Sequence, residues 1–344
     1  MLIFTLRRLS LFFFTMLLLT IVSFSLSFLF PGDALINLSG EVNATPERLL
    51  VLQEQYQTSK NIIWQYIIYL KHIFSGEFGL SMSSQSLISY EILTLLPATI
   101  ELSLLALFIA MFIGIPLGFI AAIKHNKKTD NIILSIAMLG YSIPVFWLGL
   151  LAILFFSIGL GWFPTAGQLS LVFEIELVTG FQFVDILLSD SPYKWQAFLD
   201  AISHIILPAF VISVAPATVF IRLARTAMID VLATSYIKAM SAKGLTFKQI
   251  IFRHAIRNSL IQIIRYVGLQ FANLVTIAMV TEVIFSWPGI GRWLIESIYQ
   301  RDYSAIQSGL LVLSCFIFIV HILTDFLYAA LNPLARVKNN FSAK

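Results

Sequence analysis

Charged residues are scarce in this sequence: Asp, Glu, Lys and Arg make up 12% of its 344 residues, whereas a soluble domain carries about 25%. Hydrophobic residues make up 58%, and the mean hydropathy is +0.88. One water-soluble core cannot bury so much apolar surface, so the composition excludes an ordinary soluble domain. The lipid bilayer is the expected solvent.

The sequence also lacks the motifs of several enzyme classes. It contains no G-x-x-x-x-G-K-[ST] phosphate-binding loop, no H-E-x-x-H zinc motif and no C-x-x-C pair. Cys315 is the single cysteine, so an intrachain disulfide is excluded. We therefore expect no catalytic residue, no metal site and no cofactor bound by this chain itself.

Long apolar runs are what the sequence has in abundance, and a run of about 20 residues crosses a bilayer as a helix. Six transmembrane helices are predicted, at residues 9–30, 97–123, 131–161, 201–223, 261–285 and 303–331. The first is interpreted as a retained span, because it is longer than the apolar region of a signal peptide. The predicted fold class is an all-α integral membrane protein. Prolines within the spans predict kinks, at Pro116, Pro144, Pro208 and Pro216.

Charge predicts the orientation. With the termini, residues 1–8 and 332–344, placed in the cytoplasm, most of the 22 lysines and arginines fall on the inner side. Most of the 18 acidic residues then fall outside or in spans. The acidic outer loop at 162–200 is either a solvated loop or a docking face for an external partner.

Local signals predict shorter helices outside the spans. In the outer region 31–96, Thr45 followed by Pro46 predicts a helix start, and the short aromatic stretch at 62–74 predicts an interfacial helix. The stretch SWPGIGRWLIESI predicts a turn and an interfacial helix, with Trp287 and Trp293 at the membrane interface.

A cationic segment with turn signals occupies the inner loop at 230–258. SYIKAMSAKG predicts a short helix that ends at Gly244, which suits a left-handed cap. Thr246 and Gln249 have the spacing of a capping box and predict a second helix directly after the corner. A rigid, capped corner transmits a push that a floppy loop would dissipate in its own dihedral angles. We interpret the segment as a mechanical coupling element.

Several stretches carry a resemblance that extends over nearly the whole chain: YIKAMSAKGLTFKQIIFRHAIRNSL, GEFGLSMSS, LPATIELSLLALFIAMFIGIPLGFIAAIKHNKKTD, GYSIPVFWLGLL, FPTAG, TEVIFSWPGIGRWLIESIYQRDY and LNPLARV. In this order they resemble the permease subunits of ATP-binding-cassette (ABC) transporters of the dipeptide/oligopeptide family. The first stretch is similar to that family's EAA loop. The acidic outer loop resembles that of the Sap permeases (sensitivity to antimicrobial peptides).

The resemblance implies a MetI-like, type-I ABC importer permease fold, with an ABC transmembrane domain at about 95–331. It implies a bacterial inner-membrane protein that works with a second permease, two ABC ATPase subunits that bind ATP and Mg²⁺, and a periplasmic substrate-binding protein. No nucleic acid is expected to bind.

The residues that the resemblance implies for ATPase coupling are Lys238, Ala239, Met240, Ser241, Ala242, Lys243, Gly244, Leu245 and Thr246. The sequence departs from the family pattern at three positions, one of which is Met240, the third residue of the EAA signature. Lys238 stands where the EAA signature has glutamate, and Gln262 stands where a proline is usual.

The implied function is passage of peptides across the inner membrane, driven by ATP hydrolysis on the partner subunits. Polar groups in spans are costly unless they face a cavity or a partner, so the candidate translocation path comprises Glu101, Asn273, Thr276 and Glu282. For the two glutamates the alternative is an interfacial carboxylate bonded to a helix end or to Arg292.

Other functions stay open at this point. A polyamine (putrescine) exporter, or a transporter of antimicrobial peptides or small cations, would have the same architecture. An ATP-independent secondary transporter would usually show an internal repeat, and none is visible in this sequence. A membrane receptor whose inner loop docks a signalling protein is a further alternative.

Overall fold

The computed structural model describes residues 2–331, and the predicted tail at 332–344 lies outside them. The helices, in chain order, are α1 (Leu2–Leu29), α2 (Ala34–Ser39), α3 (Pro46–Tyr56), α4 (Ile62–Phe74), α5 (Ile88–Ile123), α6 (Lys128–Ser142), α7 (Val145–Ala152), a π-helix (Ile153–Gly159), α8 (Gln182–Leu188), α9 (Lys194–Leu232), α10 (Ser235–Ala242), α11 (Phe247–Ile250), a second π-helix (Ile251–Ala255), α12 (Ile256–Ile284), α13 (Ile290–Gln300) and α14 (Tyr303–Leu331). The described residues contain a single β-bridge and no strand.

Five helical stretches are long and apolar enough to cross a membrane: Leu9–Leu29, Ile88–Ile123, Lys194–Leu232, Phe247–Ile284 and Tyr303–Leu327. A sixth span is present if the bent pair Lys128–Ser142 and Val145–Gly159 counts as one. The two members of this pair meet at 94°. The single predicted span at 131–161 is therefore bent in the structure. Helix α6 ends just before Pro144, because proline disfavours helical conformation at the position that precedes it.

Helices α5 and α9 extend well beyond their predicted spans. They have 36 and 39 residues, which at 1.5 Å per residue gives lengths of about 54 and 58 Å. The hydrocarbon core of a bilayer is only about 30 Å thick. Both helices are therefore longer, by more than one helical turn, than a helix that crosses the membrane perpendicular to its plane.

The chain forms two compact units. The first contains the residues up to Ala98, together with Leu177–Phe181 and Pro288–Ile319; the second contains Thr99–Glu176, Gln182–Trp287 and the residues from Val320 on.

In the first unit, an apolar core joins α1 to the short helices α2, α3 and α4. Its buried members are Phe24, Leu35, Leu38, Leu52, Tyr56, Tyr69 and Leu311. The hydroxyls of Tyr66 and Tyr69 lie 2.8 Å from the hydroxyls of Thr20 and Ser23 on α1. Thr45 caps α3 as predicted, because its hydroxyl accepts a hydrogen bond from the Arg48 backbone N–H.

A buried carboxylate, that of Asp302, fastens a loop of the first unit. It accepts hydrogen bonds from the hydroxyl of Ser81 at 2.6 Å, from the N–H and hydroxyl of Ser83 at 3.0 and 2.9 Å, and from the N–H of Ala305 at 3.0 Å. Burial alone would raise the pKa of Asp302, but these hydrogen bonds to the charged form outweigh it and hold the pKa below its usual 3.8. We call Asp302 and its donors the Asp302 anchor.

The second unit is built on close helix contacts along α9. Gly114 and Gly118, on consecutive turns of α5, face this helix. A Cβ atom at these positions would come within 2.7 Å of the Ala217 carbonyl and 2.5 Å of the Ile221 carbonyl. Small residues four apart let two helix backbones approach in this way.

Trp287 was predicted at the membrane interface, and the structure corrects this: it is 1% exposed, within the protein. Its backbone N–H donates to the Glu282 carbonyl at 2.8 Å, where the chain turns after α12. The turn therefore folds the indole inward.

Candidate functional site

The predicted coupling segment forms a corner between two helices. Helix α10 ends at Ala242, and Gly244 follows with φ +86°, the left-handed conformation that glycine adopts without strain. A Cβ atom on Gly244 would meet nothing within 4 Å. Backbone conformation, and not crowding, is therefore what requires glycine here.

The capping box predicted for the second helix is confirmed. The Thr246 hydroxyl accepts from the Gln249 N–H at 3.4 Å, and the Gln249 side-chain oxygen accepts from the Thr246 N–H at 2.9 Å. Two backbone donors that the helix itself cannot satisfy are therefore bonded, which fixes where the helix begins.

This helix does not stop before the membrane. Helix α11, the second π-helix and α12 form one continuous stretch of 38 residues, Phe247–Ile284. The predicted coupling loop at 230–258 and the predicted span at 261–285 are separate elements, whereas the structure has no break between Phe247 and Ile284. The corner is thus the end of the span itself.

A side-chain contact that the sequence analysis missed joins the two arms of the corner. The hydroxyl of Tyr236 on α10 lies 2.9 Å from Nδ1 of His254, and the two rings meet edge to face. Ile237 and Ile250, one on each arm, are buried beneath. No spacing rule predicts a pair 18 positions apart across a turn. We call α10, the corner and the helix up to Ala255 the coupling elbow.

The residues predicted for ATPase coupling all lie on this elbow. Met240 and Leu245 are half-buried, and the others are exposed, namely Lys238, Ala239, Ser241, Ala242, Lys243, Gly244 and Thr246. The structure thus presents a small-residue, cationic surface on a capped protrusion.

The candidate path residues do not share one environment. The half-buried carboxylate of Glu101 accepts from the Phe183 N–H at 3.2 Å and from Nε2 of Gln168 at 3.3 Å, so it holds the first turn of α8. Glu282 is fully buried and accepts from the Thr99 hydroxyl at 2.6 Å.

Asn273 and Thr276, in contrast, are exposed on α12. They belong to a stripe of exposed residues at intervals of three or four, which therefore lie on one helix face. The stripe consists of Gln262, Arg265, Leu269, Asn273, Thr276, Val280 and Val283.

The part of the chain that the structure describes contains no group of three or more His, Cys, Asp or Glu residues arranged to hold a metal ion.

Two family models match the chain. The one described as "Binding-protein-dependent transport system inner membrane component" matches residues 114–337, and its N-terminal companion matches residues 1–103. The chain belongs to this family. This confirms the prediction of a transport permease in the inner membrane, and that such a subunit is not itself an enzyme.

Relatives of this permease are similar over nearly their whole length. The di/tripeptide transport system permease protein DppB of Pseudomonas aeruginosa is 40% identical, over 98% of this chain and 99% of the relative. The peptide transport system permease protein SapB of Salmonella typhimurium is 40% identical, over 97% of each. The putrescine export system permease protein SapB of Escherichia coli K12 is 42% identical, also over 97% of each. The predicted family is confirmed.

A solved structure shares the fold. A chain of the MetNI methionine ABC transporter, in an inward-facing conformation, matches with a TM-score of 0.52 at 16% identity, over 68% of this permease and 93% of that chain. At this identity the match establishes the fold alone. The predicted type-I, MetI-like ABC permease fold is confirmed.

Proposed function

We propose that this permease and a second, similar permease form a pathway for peptides across the bacterial inner membrane, driven by ATP hydrolysis on two partner ATPase subunits. The observation that carries the proposal is the coupling elbow: a capped, exposed corner that continues without a break into a helix long enough to span a membrane. The names of the DppB and Salmonella SapB relatives support peptides as the substrate class.

In this proposal the elbow enters a cleft on an ATPase subunit, which binds the ATP and Mg²⁺ that this chain does not. Small side chains at Ala239, Ser241 and Ala242 allow a partner surface to come close to the backbone, and Lys238 and Lys243 add positive charge beside them. ATP can drive the transporter only if it binds one arrangement of the subunits better than the other. The stiff elbow couples that preference to α12.

We assign the exposed stripe of α12 to the translocation path, with Asn273 and Thr276 as its polar groups midway along the helix. The hydrogen bonds of Glu101 to α8 favour its alternative role as a carboxylate bonded to a helix end. Glu282 accepts a hydrogen bond from the Thr99 side-chain hydroxyl, which also favours a structural role for this carboxylate.

Putrescine export is a second candidate function, favoured by the 42% identical relative of that name. It uses the same architecture with the opposite direction of net transport. A periplasmic substrate-binding protein is a partner of the peptide importer, in which it delivers the substrate to the outer side.

Reconstitution of the assembled transporter in liposomes separates the two functions. Right-side-out vesicles with ATP inside and a substrate-binding protein outside are tested for uptake of a radiolabelled dipeptide, and inside-out vesicles for accumulation of labelled putrescine. ATP-dependent dipeptide uptake supports the proposal. Putrescine accumulation without dipeptide uptake would replace it with the export function, and copurification without any ATPase subunit would overturn both.

A further inference from the structure

An ion pair between the buried carboxylate of Asp130 on α6 and the half-buried Arg225 on α9 lies outside every role assigned so far. Asp130, in the first turn of α6, is 1% exposed. Its two carboxylate oxygens accept from the Arg225 guanidinium: Oδ1 from Nε at 2.7 Å and Oδ2 from Nη2 at 2.8 Å. This two-point geometry fixes the orientation of both groups more strictly than a single contact would.

The same cluster holds the connection between α5 and α6. The Asn126 N–H donates to Asp130 Oδ2 at 2.9 Å, and Asn126 itself has a left-handed φ of +61°. Arg225 Nη2 also lies 2.9 Å from Nδ1 of His125, so the imidazole accepts there. A cap at the start of α6 would need only the Asp130 carboxylate and the turn before the helix. Arg225, 95 positions further along the chain, adds a link from this carboxylate to α9.

Arg225 stands about two turns before the end of α9 at Leu232, and α10 begins at Ser235. Closer to the middle of α9, the Thr218 hydroxyl donates to the Ala137 carbonyl of α6 at 2.8 Å, and the two α5 glycines pack against Ala217 and Ile221. Of these contacts that α9 makes with α5 and α6, the ion pair is therefore the nearest to the coupling elbow.

We propose that Asp130 and Arg225 form a clamp that makes α5, α6 and α9 move as one body when the elbow is displaced. Without it, the last turns of α9 would bend away from the α5–α6 corner, and the displacement would be lost there. Both are positioning residues for coupling. The inference rests on the proposed function in one respect only, that the elbow is pushed by an ATPase.

The first test measures the coupling ratio, the amount of radiolabelled dipeptide transported per ATP hydrolysed, in the reconstituted complex. Arg225→Met is expected to lower this ratio about tenfold, a coupling loss within the usual range. Arg225→Lys, which keeps the charge but not the two-point geometry, is expected to be intermediate. A merely structural role would reduce the amount of active complex and leave the ratio unchanged, and that result would overturn the clamp.

Arg222→Met is the matched control. Arg222 lies one turn earlier on α9, is exposed, and places its guanidinium 5.8 Å from the Tyr141 ring centre. It should keep the wild-type coupling ratio, and an equal loss in both variants would contradict the proposal. Should Arg225→Met fail to accumulate because a buried carboxylate is left unpaired, Asp130→Asn combined with Arg225→Gln is measured in its place.

A second test needs no transported substrate and so separates failure of the clamp from failure of the proposed function. Spin labels are attached at two exposed positions, Ser135 on α6 and Asp230 on α9, after replacement of Cys315 by serine. In the ATPase-bound complex the distance between labels should stay in one narrow distribution with and without ATP. In Arg225→Met it should shift or broaden when ATP binds. The clamp would be overturned if ATP shifted the label distance in the protein that keeps Arg225, or if it left the distance unchanged in Arg225→Met. This holds even if the substrate is not a peptide.

Discussion

The Asp302 anchor and the coupling elbow are fixed by opposite means. Asp302 is fully buried, and five hydrogen bonds from neutral donors of Ser81, Ser83, Ser304 and Ala305 converge on its carboxylate. The elbow has an exposed capping box and one exposed contact between Tyr236 and His254. A buried charge that loses its partners is costly, whereas exposed hydrogen bonds exchange with water and contribute little net stability.

This difference implies that stability and transport respond oppositely at the two places. A substitution in the anchor should unfold the first unit and reduce transport only through the amount of folded protein. A substitution in the elbow should lower the unfolding temperature less than one in the anchor, and yet reduce transport per folded molecule. The predictions below test this contrast, from the largest expected change in stability to the smallest.

Asp302→Ala is expected to destabilise the first unit by about 3 kcal/mol, because the donors of Ser81, Ser83 and Ala305 lose their buried acceptor. Thermal unfolding in detergent measures the effect. Asp190→Ala, at an exposed position, is the control and should change stability little. Equal melting temperatures for the two variants would contradict the anchor.

The anchor also predicts a pH dependence. Because the pKa of Asp302 is depressed in the folded state, its contribution is complete above its usual pKa of 3.8 and is lost as pH falls through the lower, folded value. Thermal unfolding from pH 7 down to pH 3 should therefore show a smaller loss of stability on acidification in Asp302→Asn than in the wild type. Parallel curves would be evidence against this contribution.

Gly244→Val should reduce transport strongly with a stability cost of about 1–2 kcal/mol, because a β-branched residue is strained at φ +86°. Gly76→Val is a close control: Gly76 has φ +75°, and a Cβ there would also meet nothing within 4 Å, but it lies outside the elbow. Both variants should insert into the membrane, and only the first should lose dipeptide uptake. Equal dipeptide uptake by Gly244→Val and Gly76→Val would contradict a coupling role of the corner.

Thr246→Ala removes one half of the capping box and should cost about 1 kcal/mol of local helix stability. Hydrogen exchange of the amides in the first turn of α11 measures it. Thr234→Ala is the comparison, since Thr234 precedes α10 without a side-chain cap bond. Unchanged exchange in Thr246→Ala would mean that the cap does not hold the corner.

Tyr236→Phe removes only the hydroxyl that meets His254 and should change global stability by less than about 1 kcal/mol. A measurable fall in the coupling ratio would place this contact in the transmission of force. Tyr299→Phe, on an 84% exposed side chain, is the neutral comparison. If the two variants transport equally, the capping box alone stiffens the elbow.

The spans and the corner could be predicted because their signals are local. Apolar runs mark the spans, and α14 has the predicted bounds, Tyr303–Leu331. The corner followed from a glycine and a capping box within a few residues. The prolines show where local signals fail: Pro116, Pro208 and Pro216 lie inside the continuous helices α5 and α9, whereas α6 ends just before Pro144. Exposure does not separate the two outcomes, because Pro116 and Pro144 are both exposed, whereas Pro208 and Pro216 are buried.

Contacts between distant residues were not predictable. Asp130 and Arg225 are ordinary inner-side charges in the sequence, and only the approach of α6 to α9 makes them a pair. Glu101 and Glu282 were selected as costly polar groups in spans, but the sequence could not tell that Gln168 and Thr99 donate to them. Family resemblance predicts the coupling residues and says nothing of the hydrogen bonds that the candidate path residues make.

The unbroken helix from Phe247 to Ile284 works as a lever with no joint along its 38 residues. At 1.5 Å per residue it is about 57 Å long, so a tilt of one degree about its inner end displaces the far end by about 1 Å. A rotation of roughly ten degrees would sweep that far end across about 10 Å, the diameter of a helix with its side chains. In the proposed function, a small displacement of the elbow would therefore become a displacement of about one helix diameter at the other end of α12.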